Sequence, residues 1–330
     1  MKYIIILSLG VILLLAQCKQ SNSKKILVPR QANQYTCIYK PSGDYFFGPD
    51  TELLKESQWY DRWIPNDHCF IKAEDGKWHI FGITHPYTDP KKGNIHQGEY
   101  ASFHAVSSAT AFHETIREHH YSELPKVLPP NERPGEIAAN HAPYIVKKQD
   151  LYYMVYGHSP IRLATSTDLY NWTPKGNLFV EEKGARDPNL IFHKVIYYIT
   201  YCSDKCVRTR ISKDLIHWSD AKTILTTNNF DPESPSVIFH NNSFYLFVCS
   251  WEDAQWDREN LMGAYTHKAH VYLSDNINDF GIDEEKQITI LNSHAPEVFK
   301  GEDGQWYISS VVYPDMGVSI DKLTWEEKLQ

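Results

Sequence analysis

Long apolar runs are nearly missing from this 330-residue chain, and so is sustained helical periodicity beyond residue 20. The first absence leaves one hydrophobic stretch, at the N-terminus, and the second excludes an all-α fold. The best helical candidate, 109–120, reads equally as an outer strand. No basic stripe or arginine cluster offsets the formal net charge of −8, which argues against a nucleic-acid partner. Cysteine is sparse. Beyond Cys18 there are five: Cys37, Cys69, Cys202, Cys206 and Cys249. An odd number leaves at least one thiol unpaired within the chain. Cys202 and Cys206 flank Ser-Asp-Lys at a predicted hairpin tip, where an exported protein can form a disulfide. No second pair completes a zinc site with them. Aromatic surface is abundant, with 21 tyrosines and 9 tryptophans, ample for a packed all-β body.

The N-terminal stretch reads as an export signal. Lys2 supplies the positive charge, and the apolar run 3–15 is too short to span a bilayer comfortably. Its end, Leu15-Ala16-Gln17-Cys18, resembles the lipobox of bacterial lipoproteins. That resemblance implies a signal peptide over 1–18, a lipidated Cys18, and export to a bacterial membrane at the cell surface or in the periplasm. Residues 19–58 read as a tether and N-terminal segment, and 59–330 as the folded body.

Within that body a short cassette recurs: His141-Ala142-Pro143, Arg186-Asp187-Pro188, Glu233-Ser234-Pro235 and His294-Ala295-Pro296. Each copy runs into a short apolar strand, a turn and an aromatic-rich strand. Asn66-Asp67-His68 is a degenerate first copy. Spacings of roughly 40–60 residues with several short strands per unit are the signature of a β-propeller, here of five blades in a single all-β domain. A second element, Asp-Leu followed by tryptophan, occurs at Asp168–Trp172 and Asp214–Trp218, and in variant form at Asp321–Trp325, with Phe280 standing in for blade four. It suits a turn closing onto an outer strand, with the indole packed between blades.

The cassette register puts Asp67, Asp187 and Glu233 at the starts of innermost strands, where they would converge on the axis. Glycoside hydrolysis needs one carboxyl group that holds its proton and another that stays ionised, so a set of this kind points to a glycosidase.

Trp63-Ile64-Pro65-Asn66-Asp67 with Gly76–Phe81, then Phe103–Ser107, Arg186-Asp187-Pro188 and Glu233-Ser234-Pro235, resembles the motifs of invertase-like glycoside hydrolases of family 32. His68 replaces the proline usual there, and Ser234 the usual cysteine. The arrangement is equally similar to family 43, the arabinanase and xylosidase group, which shares the five-bladed propeller. The chain stops after the fifth blade, without the C-terminal β-sandwich of the invertase-like enzymes, which favours family 43. The resemblance implies Asp67 as nucleophile or general base, Asp187 as the residue that orients substrate and tunes the acid, and Glu233 as general acid. It also implies Arg186 on a sugar hydroxyl or a neighbouring carboxylate. Trp63, Asn66, His141, Trp251 and His294 are further candidates for substrate contact. No cofactor is required; in family 43 a histidine matching His294 lies near an axial calcium ion, so His294 is the candidate metal residue.

The expected function is an exported hydrolase acting on an arabinose-, xylose- or fructose-containing oligo- or polysaccharide. A non-catalytic glycan-binding lipoprotein is the rival. A phosphorolytic enzyme would need a basic cluster at the funnel, and Lys77, Arg162 and Arg208 are scattered in the sequence.

Overall fold

The strand Trp78–Pro86 is buried at all nine positions, whereas the outer strand Thr173–Phe179 alternates between exposed and half-buried. A strand covered on both faces belongs to a sheet stacked between two others. The computed structural model, which describes residues 25–88, 97–117, 120–251, 265–312 and 317–329, arranges the chain as five such sheets around an axis.

Blade one comprises Trp63–Lys72, Trp78–Pro86, Ala101–Ser107 and Tyr121–Val127. Blade two comprises Tyr144–Lys148, Leu151–Tyr156, Ile161–Ser166 and Thr173–Phe179. Blade three runs Arg186–His193, Ile196–Ser203, Cys206–Ser212 and Lys222–Thr226, and blade four Asp231–His240, Ser243–Trp251, Tyr265–Ser274 and Gln287–Leu291. All pairings within the blades are antiparallel. Blade five takes Val298–Lys300, Trp306–Val312 and Gly317–Leu329 from the C-terminal end, and its fourth strand, Lys25–Gln31, from the N-terminal end.

That closure corrects the expected tether. Residues 25–31 pair in unbroken register from Lys25 opposite Leu329 to Gln31 opposite Leu323, and Thr36–Tyr39 pairs farther along the same strand. Asp321–Trp325 is corrected too: it lies inside Gly317–Leu329 rather than in a turn, because the outer strand comes from elsewhere in the chain. The other two copies behave as expected. Asp168 accepts the backbone N–H groups of Tyr170 and Asn171, and Asp214 those of Ile216 and His217. Trp172 meets Phe81 of blade one edge-on at 5.9 Å. Phe280 is fully buried between blades three and four. Within 109–120 a short helix forms, Phe112–Thr115.

Five apolar clusters, one per blade junction, close the ring. Ile80 and Phe103 meet Tyr307 and Ile320; Phe81 meets Met154; Leu163 meets Leu190; Val207 meets Leu246; and Phe247 meets Ile308. Non-directional burial of this kind is the main force holding blades together.

One junction carries an unusual polar pair. His79 Nδ1 and His104 Nε2 are 2.7 Å apart, and His104 stacks on Phe81 with ring centres at 4.0 Å. Burial pushes the His79 imidazole down to about 4 and His104 to about 2. The unfolded chain takes up these protons below its ordinary histidine value near 6.5 while the folded chain does not, so stability is lost as pH falls through that window. His104→Gln is therefore expected to flatten the fall in stability between pH 7 and 4.5 by about 2 kcal/mol, read from thermal melts of variant and wild type. Parallel curves for the two proteins would assign the acid sensitivity elsewhere.

Candidate active site

Four of the five cassettes share a strained centre: φ is +40° at Ala142, +55° at Asp187, +48° at Ser234 and +49° at Ala295. Left-handed backbone is costly for residues other than glycine and clusters at functional sites. The innermost strands of blades one, three and four also slip register beside their acids. Pro65 faces Thr84 and His68 faces Gly82; Arg186 faces Cys202 and Asn189 faces Thr200; Glu233 faces Cys249 and Ser236 faces Phe247. A bulge of this kind re-aims a side chain at the end of a strand. Asp67 lacks a following proline, but His68 is pinned instead. Its Nε2 lies 2.8 Å from Ser309 Oγ of blade five and its Nδ1 3.2 Å from the Asn66 carbonyl oxygen.

The three acids lie within electrostatic reach of one another. Asp67, Asp187, Ser234 and Glu297 line an axial cavity of about 20 Å³, room for one water and far too small for a sugar. The side chains of Arg186 and Glu233 keep 29% and 20% of their exposure against 9% for Asp187. Arg186 Nε stands 3.6 Å from Asp187 Oδ2 and 3.8 Å from Glu233 Oε1, with no hydrogen-bond partner of its own. Its Nη2 donates to the Pro232 carbonyl at 3.0 Å. Asp187 Oδ2 accepts the Ser234 N–H at 3.2 Å. Asn66 Oδ1 is buried without a hydrogen-bond partner.

Crowding of like charge controls the protons. Burial, then the Asp187 carboxylate, pushes Asp67 up to about 8, while a bond from Ser234 and its own backbone N–H work in the opposite sense. Glu233 is raised well above the usual carboxyl range by burial, then by Asp187; Arg186 acts against this. Hydrogen bonds to the ionised form make Asp67 the member suited to give up its proton.

Several other expectations are corrected. Trp63 is 4% exposed and packs with Phe46 and Leu54, with the Lys126 ammonium 4.2 Å from its ring centre; it is core, closed to stacking on a sugar. Cys202 and Cys206 form no disulfide, since Cys206 pairs with Ser203 and Cys202 with Val207, which puts the two thiols on opposite sheet faces. Arg162 and Arg208 are each ion-paired, with Glu136 and Glu181, so neither is a funnel cation for phosphorolysis. His294 is 2% exposed, with its N–H donating to Ser310 Oγ. No group of three or more His, Cys, Asp or Glu side chains suited to a metal occurs among the described residues. Calcium takes six to eight oxygen ligands, and the His294 side chain supplies none, so His294 is not by itself a calcium site. Trp251 ends the second strand of blade four opposite Asp231; the loop after it, 252–264, and Cys18 lie outside the described residues.

His141 is in the site, and it brings a residue that sequence reasoning missed. Its Nε2 lies 3.0 Å from Glu99 Oε2, and its ring centre is 5.1 Å from that of His158. Glu99 sits between the second and third strands of blade one and belongs to no repeat. Glu297, directly after the fifth cassette, was also missed; its place after the proline was the available signal.

The sequence matches no protein-family model and no curated protein. Solved structures do share its fold. An exo-1,5-α-L-arabinanase from a bovine ruminal metagenomic library is 20% identical over 80% of this chain and 93% of its own, with a TM-score of 0.55. An α-L-arabinanase from Cellvibrio cellulosa, complexed with arabinohexaose, is 13% identical over 81% and 95%, with a TM-score of 0.54. A family 43 β-xylosidase/α-arabinofuranosidase from a compost microbial metagenome, in a calcium-free complex with xylotriose, is 12% identical over 90% and 95%, also at 0.54. The chain is a five-bladed β-propeller of the kind seen in family 43 glycoside hydrolases.

Proposed function

We propose that this protein is a glycoside hydrolase acting on an arabinose-, xylose- or fructose-containing glycan, with Asp67, Asp187 and Glu233 as its acidic set. The observation that carries the proposal is the grouping of the three acids: Asp67 and Asp187 line the axial cavity, and Arg186 lies between Asp187 and Glu233. Glu233, kept protonated by burial and like charge, is the general acid for the departing oxygen. Asp67 is the nucleophile or the base that activates water. Asp187, the least exposed of the three, acts together with Arg186 on their charge and on substrate orientation. Support also comes from the activities named for the structural neighbours, which are arabinanases and a xylosidase.

The test is release of sugar from aryl arabinofuranosides, xylosides and galactosides, from sucrose and from inulin. Hydrolysis of at least one is expected, and the anomer first released, followed by NMR, distinguishes retention from inversion. Calorimetric binding of a glycan without any release would favour the binding lipoprotein instead.

Export and lipid anchoring through Cys18 belong to the same proposal, supported by the lipobox-like sequence. Cys18→Ser is expected to move the protein from the membrane fraction to the soluble one; unchanged fractionation would count against the anchor.

A further inference from the structure

Glu99 lies outside every repeated motif, yet two blades are clamped so that it meets one imidazole. Its side chain is 7% exposed, with Oε2 3.0 Å from His141 Nε2 and Oε1 3.9 Å from His85 Nε2. The backbone on either side is fixed. Gly98 has φ +94°, and a Cβ there would stand 2.5 Å from Leu54 Cδ1. The Glu99 carbonyl accepts the Asn140 N–H at 2.8 Å, and the Tyr100 carbonyl accepts from Arg133 Nη2 at 3.1 Å. Arg133 and Arg162, 1% and 0% exposed, hold the segment leading to His141. Arg133 donates to the carbonyls of Leu128, Ile137 and Ala138, and Arg162 to those of Ile137 and Ala139. The His141 carbonyl in turn accepts the Gly157 N–H at 2.8 Å.

We infer that Glu99 is a positioning residue for His141, fixing the ring through Nε2 beside Asp67 and Asp187. The charge state of the catalytic carboxyls then depends on the pair. This deepens the proposed hydrolase and, for its kinetic part, rests on it.

The groups facing His141 are Glu99 from blade one, Asp67 and Asp187 from the inner strands, and His158 from the adjoining hairpin. His85 faces Glu99 from the far side. Burial opposes the imidazolium, but Glu99 first, with Asp187 behind it, favours it, and the balance is upward. His158 is pushed down by burial and then by His141, with Asp187 acting in the opposite sense. Glu99 alone would add to the negative field that raises Asp67 and Glu233. An imidazolium on it cancels that field where Asp67 must ionise.

The pair is tested first without substrate. Imidazole NMR of the wild type, with His141 assigned by its loss in His141→Gln, is expected to show His141 titrating above the ordinary value of about 6.5. Glu99→Gln, which keeps the side chain's size, is expected to lower that titration by about one unit or more. A wild-type His141 at or below the ordinary value, or one unmoved in Glu99→Gln, overturns the inference.

Kinetics give an independent reading. In His141→Gln the acid limb of kcat/KM against pH is expected to move up by about one unit, because Glu99 loses the His141 imidazole and its negative field on the carboxyls grows. In Glu99→Gln/His141→Gln the limb returns towards wild type. A double variant no closer to wild type than the single overturns the pair's role, since a merely structural contact gives no such rescue. A wild type with the expected His141 titration but no hydrolysis of any glycoside would sink the hydrolase and leave the pair supported.

Discussion

Asp67→Asn is expected to lower glycoside hydrolysis by about 10³-fold or more while raising the melting temperature. The two effects share one cause. The Asp67 carboxyl keeps its proton in the folded chain up to about pH 8 and releases it near 4 in the unfolded chain. Between these values the unfolded state binds fewer protons, so stability falls as pH rises. Asparagine removes that loss, with nothing gained below about pH 4 and the whole gain present above about pH 8. A gain of at least about 2 kcal/mol at pH 8 is reasonable for a strained acidic site. It corresponds to roughly 3 °C in a domain of this size. Glu233→Gln should show the same stabilisation with a different kinetic signature. Its loss is about 10²–10⁴-fold on a sugar or alkyl leaving group, which must be protonated. On a dinitrophenyl glycoside, whose leaving group needs no proton, it stays close to wild type. An Asp67→Asn variant that melts lower and retains activity would mean an ordinary turn aspartate.

The blades were legible because their punctuation is local. A proline after a strained residue and before an apolar strand is visible within three letters, and its recurrence fixes the register that brings Asp67, Asp187 and Glu233 together. The closing strand was not legible for the opposite reason. Lys25–Gln31 is a short strand whose partner lies at the other end of the chain. The cross-strand pairs Lys25–Glu327 and Arg30–Glu326 mean something only once that partner is known. Exposed as they are, they contribute little energy, and hydrogen-bonded register does the work. Glu99 was hidden for a third reason. It comes from a loop, whose sequence carries no period, and it is brought to His141 by buried arginines whose targets are mainly backbone carbonyls. Trp63 misled in the reverse direction. An aromatic next to a catalytic strand resembles a sugar platform, and only the packing of Phe46 and Leu54 over it removes it from the surface.

Arg162→Met is expected to destabilise the fold by about 3–5 kcal/mol, although it touches no substrate. The arginine is fully buried and donates to Glu136 Oε2 at 3.1 Å and to the Ile137 and Ala139 carbonyls at 3.2 and 2.5 Å. Its guanidinium also lies 4.8 Å from the Tyr156 ring centre. Methionine fills much of the volume but leaves those acceptors unsatisfied and the Glu136 carboxylate with Arg133, at 3.3 Å, as its remaining cationic partner. An uncompensated buried charge is the expensive outcome, more so than the loss of the pair itself. Adding Glu136→Gln to the Arg162→Met background should therefore recover part of the loss, and the double-variant cycle measures how much. The melting temperature of the single variant should fall on the order of 10 °C. Because the same segment carries Asn140 and His141, the variant should also weaken the Glu99–His141 contact, lowering the His141 titration while Asp67 and Glu233 keep their strand positions. A variant that melts like wild type would show the cluster to be loosely packed, and the clamp on His141 would have to come from Arg133 alone.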